Sequence, residues 1–211
     1  MFSIIYADPP WRFKNWSMKE LAVRGEKWAR ANGQSPYDVL DTSAICDLPV
    51  KDIAARDAVL FLWATYPKLE DAFSVIKAWD FTFKTVAFTW VKQNPKGVGW
   101  KFGLGYWTRG NAEICLLATR GRPRRVDGSV AQLVVAPVGR HSAKPPEVRD
   151  RIVLLMGDLP RIELFARPPV PEDWVALGNE ITGNDIREDL QRIITTSLEC
   201  SLIGLPADTT D

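Results

Sequence analysis

The residues best suited to chemistry form one short motif near the amino terminus. It consists of Asp8, Pro9, Pro10 and Trp11, directly after a short apolar run. Each proline fixes its own φ and lacks an N–H, so a central strand cannot continue through the pair. We expect the two proline carbonyls to remain free as hydrogen-bond acceptors. Together with a carboxylate and an aromatic face, they suit a planar base that carries an exocyclic amine. An ordinary strand followed by a proline turn is the plainer interpretation.

The apolar run before the motif, Ser3 to Ala7, predicts a short strand that ends at Asp8. Ligands of α/β folds bind at the carboxyl ends of parallel strands, so the motif would lie at a binding edge. Further predicted strands are 58–63, 84–91, 113–119, 134–138, 161–167 and 173–180. Predicted helices are 17–31, one beginning at 65–67 with Leu69, Ala72, Phe73 and Ile76 on one face, one opened by Pro145 and Pro146, and 184–194. This alternation predicts an α/β fold with a mostly parallel sheet and helices on both faces.

The amino-acid composition limits the classes of protein to which the chain can belong. The chain has 211 residues, 46% of them hydrophobic, which is enough for one domain with a good core. We expect that domain at 1–195 and a mobile tail at 196–211. Three scattered cysteines and a single histidine argue against a metal site, a disulfide framework or a Ser-His-Asp triad. No apolar run approaches the ~18 residues of a membrane span, and a reducing cytoplasm is the expected location.

Charge is unevenly distributed along the chain. The net charge is +1, but residues 84–151 carry +9 and the remainder carries −8. A one-sided basic stripe is expected where a protein binds a polyanion, although a solvated face is the alternative. Interleaved basic and aromatic residues also mark 12–47 and the glycine-rich stretch 92–110, and a basic turn follows at 120–125. On these grounds we expect substrate contacts from Trp11, Lys14, Tyr106, Arg109, Arg122 and Arg124.

Four motifs in a fixed order resemble one enzyme family. They are Asp8 to Trp11, 141–145 (HSAKP), 162–168 (IELFARP) and 174–180 (WVALGNE). They are similar to the adenine-N6 methyltransferase family that includes the catalytic subunit of the eukaryotic messenger-RNA adenine methyltransferase, and the chain looks like its single-domain bacterial and phage members. The resemblance runs from about residue 4 to residue 180.

The resemblance implies a Rossmann-like fold in a permuted motif order, with the catalytic strand first and the cofactor strands last. It implies S-adenosylmethionine as cofactor and no metal. By similarity, Asp8, Pro9, Pro10 and Trp11 are catalytic, and Lys144, Phe165, Arg167, Asn179 and Glu180 contact the cofactor. The chain departs from some relatives at Pro169, Val170 and Glu180.

The implied reaction is methyl transfer to the N6 amine of adenine in nucleic acid, with DNA favoured. The same reaction on RNA is an alternative, as is a non-catalytic nucleic-acid-binding partner subunit that keeps the fold. Cytosine-N4 methylation is disfavoured because those enzymes usually carry Ser in place of Asp8. A monomer, a homodimer and a complex with a partner subunit all remain open.

Overall fold

In a computed structural model that describes residues 1–12, 39–103, 107–139 and 143–203, seven strands form one sheet. The strands are β1 (Phe2–Ala7), β2 (Ala54–Ala64), β3 (Thr82–Gln93), β4 (Glu113–Arg120), β5 (Leu133–Pro137), β6 (Arg161–Leu164) and β7 (Val175–Leu177). The helices are α1 (Thr42–Cys46), α2 (Val50–Ile53), α3 (Leu69–Ala78), α4 (Glu147–Met156), α5 (Asn179–Thr182) and α6 (Ile186–Ile203). The helix predicted for 17–31 lies outside the described residues. None of the described helices is long and apolar enough to cross a membrane.

The sheet is parallel apart from one strand. Its order is β5-β3-β4-β2-β1-β6-β7, so β1 lies between β2 and β6 and pairs in parallel with both. β4 is antiparallel to its two neighbours, β2 and β3. The prediction of a mostly parallel sheet is therefore confirmed, and the reversal of β4 is the exception.

The central strands are covered on both faces, which explains their continuous apolar sequences. Successive side chains of a strand point to opposite faces, so Ile5 and Ala7 enter one core while Ile4 and Tyr6 enter the other. Helices α2, α3 and α6 pack on the first face, and α4 packs on the second. Helices on both faces were predicted, and the prediction is confirmed.

Helix α3 follows a 3₁₀ turn at Tyr66–Lys68, close to the predicted start. Its buried face consists of Ala72, Val75 and Ile76. Phe73 was predicted on that face, but its side chain is 42% exposed and packs edge-on against Phe83, with 5.0 Å between the ring centroids. The prediction for Phe73 was wrong because a helix turns by 100° at each residue, which carries Phe73 out of the face that Ala72 and Ile76 share.

The carboxyl-terminal strands are shorter than predicted. β6 ends at Leu164, and Phe165 then adopts a positive φ of 61°, which turns the chain out of the sheet. Asn179 and Glu180 were predicted to end a strand but instead begin the short helix α5. Helix α6 continues from 186 through 203, past the predicted start of the tail, whose mobility stays a prediction.

Gly178 joins β7 to α5 at a point where two backbones meet. A Cβ atom at this position would lie 2.8 Å from the carbonyl oxygen of Ala166 and 2.9 Å from its nitrogen. Both neighbours are backbone atoms of the segment that follows β6, so they cannot rotate away. Only glycine allows α5 to lie this close to that segment.

We expect Gly178→Ala to lower the free energy of unfolding by about 1–3 kcal/mol, the usual range for overpacking. Urea denaturation measures this change. Gly128→Ala is the matched control, because a Cβ there would meet the Arg125 side chain at an ordinary 3.5 Å. Equal stability of the two variants would show that the close approach at Gly178 imposes no constraint.

Candidate active site

A pocket of about 260 Å³ opens at the carboxyl ends of β1 and β2. It is lined by Asp8, Pro9, Pro10, Trp11, Trp63, Ala64, Thr65, Glu113, Lys144 and Arg167. The four residues of the amino-terminal motif thus share one cavity with two of the residues predicted near a cofactor. Because β4 is antiparallel to β2, its first residue, Glu113, reaches the same edge of the sheet.

Asp8 is the first residue beyond β1 and remains tied to the sheet. Its N–H donates to the Leu164 carbonyl at 3.4 Å, which continues the pairing of β1 with β6. Its carboxylate is 23% exposed and accepts a hydrogen bond from the Lys144 ammonium at 2.6 Å. Burial raises the pKa of Asp8, and the charge of Lys144 opposes that rise. The chain therefore places a carboxylate where burial disfavours the charged form and a neighbouring cation favours it.

Lys144 is held between two carboxylates. Its side chain is almost completely buried, and its Nζ lies 2.6 Å from Asp8 and 3.3 Å from Glu113. The ammonium also lies 5.4 Å from the centre of the Trp63 ring, within range of a cation–π interaction. Burial alone would lower the pKa of Lys144, but the two carboxylates outweigh burial and raise it. Lys144 is thus a fixed cation.

Glu113 extends this arrangement to a second lysine. Its carboxylate contacts the Lys92 ammonium directly on one side and Lys144 on the other. Burial would raise the pKa of Glu113, but the two lysines outweigh it and lower the pKa. Positive and negative groups therefore alternate along Lys92, Glu113, Lys144 and Asp8. No motif in the sequence marks Glu113 or Lys92 as a site residue.

The two proline carbonyls were predicted to be free acceptors, but each already accepts a backbone hydrogen bond. The Pro9 carbonyl accepts the Trp11 N–H at 2.8 Å, and the Pro10 carbonyl accepts the Leu40 N–H at 2.9 Å. That expectation was wrong because a tight turn brings the Trp11 N–H to Pro9, and a parallel bridge between Trp11 and Leu40 brings the Leu40 N–H to Pro10. A carbonyl oxygen has two lone pairs, so each can still accept one more hydrogen bond.

Trp11 forms a wall of the pocket and is mostly enclosed by the protein. Its side chain is only 6% exposed, and its indole N–H donates to the Trp63 carbonyl at 3.1 Å. The Trp63 indole in turn donates to the Tyr6 hydroxyl at 2.7 Å. These bonds fix both indoles relative to β1 and β2. Stacking of Trp11 on a bound base stays a prediction.

The predicted cofactor residues lie beside the pocket. Arg167 lines it, and its guanidinium lies 3.3 Å from the carboxylate of Glu180. Asn179 and Glu180 begin α5, which Gly178 brings close to the segment carrying Phe165 and Arg167. Phe165 holds the positive φ, a conformation of non-glycine residues that concentrates at functional sites. Lys144 differs from this group because it contacts Asp8.

The predicted substrate residues are not brought together. Arg109 lies in the loop between β3 and β4, at the catalytic edge, where its guanidinium donates to the Gly103 carbonyl at 3.1 Å. Arg122 and Arg124 follow the far end of β4, an eight-residue strand. A strand rises ~3.4 Å per residue, so the length of β4 separates these two arginines from the catalytic edge by about 25 Å. Lys14 and Tyr106 lie outside the described residues.

Among the residues that the structure describes, the basic groups of 84–151 therefore do not form a one-sided stripe. Part of the positive charge of residues 84–151 lies at the catalytic edge and part at the opposite edge. Other members are paired with acidic residues: Arg149 forms a buried bidentate pair with Glu163, and Arg151 forms a partly exposed pair with Glu147. Charge counted along the sequence did not predict its position, because β4 carries the chain across the whole sheet between the two basic segments.

The sequence of residues 2–180 matches the MT-A70 family. The chain belongs to the MT-A70 family. This match covers the whole sheet and every residue that lines the pocket, so the resemblance inferred from four short motifs is confirmed.

The proteins to which the chain is similar differ in how much of their length it covers. The type II methyltransferase M.MunI of a Mycoplasma species is 32% identical over 196 residues, which is 88% of this chain and 80% of that protein. The human N(6)-adenosine-methyltransferase catalytic subunit METTL3 is 28% identical over 185 residues, 86% of this chain but 28% of METTL3. The Drosophila melanogaster MT-A70-like protein is also 28% identical, over 27% of its length. The chain thus spans about a quarter of these two longer relatives.

We expect two charge-removing variants to move the pKa of Asp8 in opposite directions. Lys144→Met should raise it, because the ammonium favours the ionised carboxyl. Glu113→Gln should lower it, because the negative charge of Glu113 raises the pKa of Asp8. Carbon-13 NMR titration of the Asp8 carboxyl measures both shifts. Glu147→Gln, on α4 and paired with Arg151, is the control that should leave Asp8 unchanged. Shifts of the same sign in both variants would contradict the alternating charge arrangement.

Proposed function

We propose that this MT-A70 protein transfers a methyl group from S-adenosylmethionine to the N6 amine of adenine in nucleic acid, with DNA as the favoured substrate. The observation that carries the proposal is the Asp8 carboxylate at the end of the central strand, held beside Lys144 in a pocket walled by two prolines and an indole. Family membership and the names of the relatives support the choice of amine.

Asp8 increases the nucleophilicity of the exocyclic amine of adenine. The lone pair of that amine is conjugated with the ring, which makes it a poor nucleophile. A hydrogen bond from the amine to the Asp8 carboxylate, and a second to the remaining lone pair of the Pro9 carbonyl, favour a pyramidal nitrogen whose lone pair is available. The negative charge of Asp8 also stabilises the positive charge that develops on the nitrogen.

Glu113 reduces a conflict at this carboxylate. A lone ammonium 2.6 Å from Asp8 would repel the positive charge that develops on the amine. Glu113 offsets part of this repulsion, because its carboxylate lies 3.3 Å from the same ammonium. Lys92 holds Glu113 in turn. The amine then replaces or shares the hydrogen bond that Lys144 donates to Asp8.

The residues beside the pocket fit S-adenosylmethionine, which when bound supplies an electrophilic methyl group. The methionine carboxylate needs a cation, and Arg167 lines the pocket on the side of Asp8. The ribose hydroxyls need acceptors, and the half-exposed Glu180 carboxylate lies beside that cation. Asn179 and Phe165 complete the predicted set. We assign the carboxylate contact to Arg167 because its side chain is more exposed than that of Lys144.

The preference for DNA rests on the extent of similarity. The chain and the type II methyltransferase cover 88% and 80% of one another, whereas the chain matches little more than a quarter of METTL3. RNA remains the alternative, and assays on both polymers distinguish them.

Asp8→Ala should abolish methyl transfer and leave the affinity for S-adenosylmethionine within about tenfold, because a group that acts in the transition state affects turnover more than binding. Transfer from labelled cofactor to DNA and RNA oligonucleotides, followed by nucleoside analysis, measures turnover and identifies the product. Calorimetry measures cofactor affinity. Asp150→Asn, exposed on α4, is the control. More than a tenth of wild-type turnover in Asp8→Ala would refute the role of Asp8, and a product other than N6-methyladenine would refute the reaction.

Arg167→Met should weaken cofactor binding by about 1.5–3 kcal/mol, the range for losing a hydrogen bond to a charged group. Calorimetric titration with S-adenosylmethionine tests this directly, without turnover. Arg187→Met removes an exposed arginine paired with Asp185 and serves as the matched control. If both variants bind the cofactor as tightly as the wild type, the cofactor carboxylate lies elsewhere.

A further inference from the structure

The loop between β3 and β4, which the structure describes at 94–103 and 107–112, exposes three large aromatic rings. Trp100 is 52% exposed, Phe102 is 51% exposed and Trp107 is 100% exposed. Single exposed apolar residues are ordinary, but a cluster of aromatic rings on a protein surface marks an interaction site. We call this segment the aromatic loop. None of its three rings lines the pocket at Asp8.

The aromatic loop is fastened at its base by a polar network. The Asn111 side-chain amide donates to the carbonyls of Lys92 and Lys101 at 2.9 and 2.6 Å, and its oxygen accepts the Lys92 N–H at 3.1 Å. The Lys101 N–H also donates to the Lys92 carbonyl at 2.9 Å, and the Gly103 N–H donates to the Gly110 carbonyl at 2.7 Å. The backbone that carries Trp100 and Phe102 is therefore held in place by hydrogen bonds, which reduces the ordering that binding requires.

The charge of the aromatic loop selects one kind of ligand. Lys96, Lys101 and Arg109 lie among the rings, and residues 94–112 contain no Asp or Glu. Rings that can stack on bases, alternating with cations that can pair with phosphates, form the usual surface for single-stranded nucleic acid. A duplex does not offer the faces of its bases, so the three rings favour an unpaired strand.

The position of the loop connects it to the pocket. It begins two residues after Lys92 and ends immediately before Glu113, and these two residues form the ion pair that leads to Lys144 and Asp8. An isolated bridge between Gln93 and Trp100 brings the first ring back beside the end of β3. A single strand of nucleic acid bound along this loop therefore leads to the pocket.

We propose that the aromatic loop binds the single-stranded nucleic acid that flanks the target adenine, with bases stacked on Trp100, Phe102 and Trp107 and phosphates paired with Lys96, Lys101 and Arg109. This proposal rests on the proposed function and adds to it a place for the polymer. It also assigns the substrate class: an unpaired strand, or a duplex opened around the target.

Binding of a fluorescent oligo-dT strand tests the loop without methyl transfer, because the strand contains no adenine. We expect Trp107→Ala, and the double variant Trp100→Ala/Phe102→Ala, to bind it about tenfold or more weakly than wild type, as for loss of one stacked base. Phe83→Ala removes a partly exposed ring near the opposite edge and should bind normally. An abasic strand of equal length should bind wild type and ring variants alike. Unchanged oligo-dT binding in the ring variants, or an equal loss on the abasic strand, would overturn the stacking.

A second experiment tests the basic residues of the aromatic loop through the salt dependence of binding. Each phosphate neutralised on a single strand contributes about −0.7 to the slope of log affinity against log salt. Lys96→Ala/Lys101→Ala should therefore flatten the slope, and Arg122→Ala/Arg124→Ala, at the far edge, should not. The reverse result would overturn the placement, as would a change in oligomeric state of Trp107→Ala with unchanged oligo-dT binding, which would make the loop a protein interface. If the loop variants lose oligo-dT binding but the wild type methylates no adenine strand, the loop stands and the proposed reaction fails.

Discussion

The ion pair between the Asp8 carboxylate and the Lys144 ammonium organises the site, because burial disfavours the charged carboxylate and the cation favours it. Lys144 is in turn held by Glu113, and Glu113 is held by Lys92. The four groups come from the end of β1, the ends of β3 and β4, and the segment before α4. No part of the chain can build the site alone, so the sheet must be complete before the charges balance.

Much of the fold follows from the sequence because the signals are local. The apolar run before Asp8 and the longer run of β2 are central strands, since only strands covered on both faces need continuous apolar sequence. The paired prolines before α4 and Gly157 after it mark the two ends of that helix. The motif at Asp8 could likewise be placed at a binding edge, because the end of an isolated strand needs no knowledge of its neighbours.

Strand direction is not local, and the errors follow from it. A parallel β4 would have brought Arg122 and Arg124 to the pocket and taken Glu113 away, whereas the antiparallel β4 does the opposite. One signal was present: residues 94–112 are glycine-rich and show no helical pattern, whereas a parallel neighbour requires a long crossover, usually a helix. Glu113 could have been placed at the site on that ground. Its contacts with Lys92 and Lys144 depend on packing that no single segment specifies.

The pairing of β1 with β6 has a consequence for biosynthesis. Residue 4 lies opposite residue 161, so during synthesis β1 must wait until β6 has emerged before its second edge is hydrogen bonded. Until then the nascent chain displays an open apolar edge, which is a hazard for aggregation and a natural target for chaperones. The same delay is protective, because an incomplete chain, lacking β6 and the Leu164 carbonyl that fixes Asp8, has no assembled site with which to modify the nucleic acid around it.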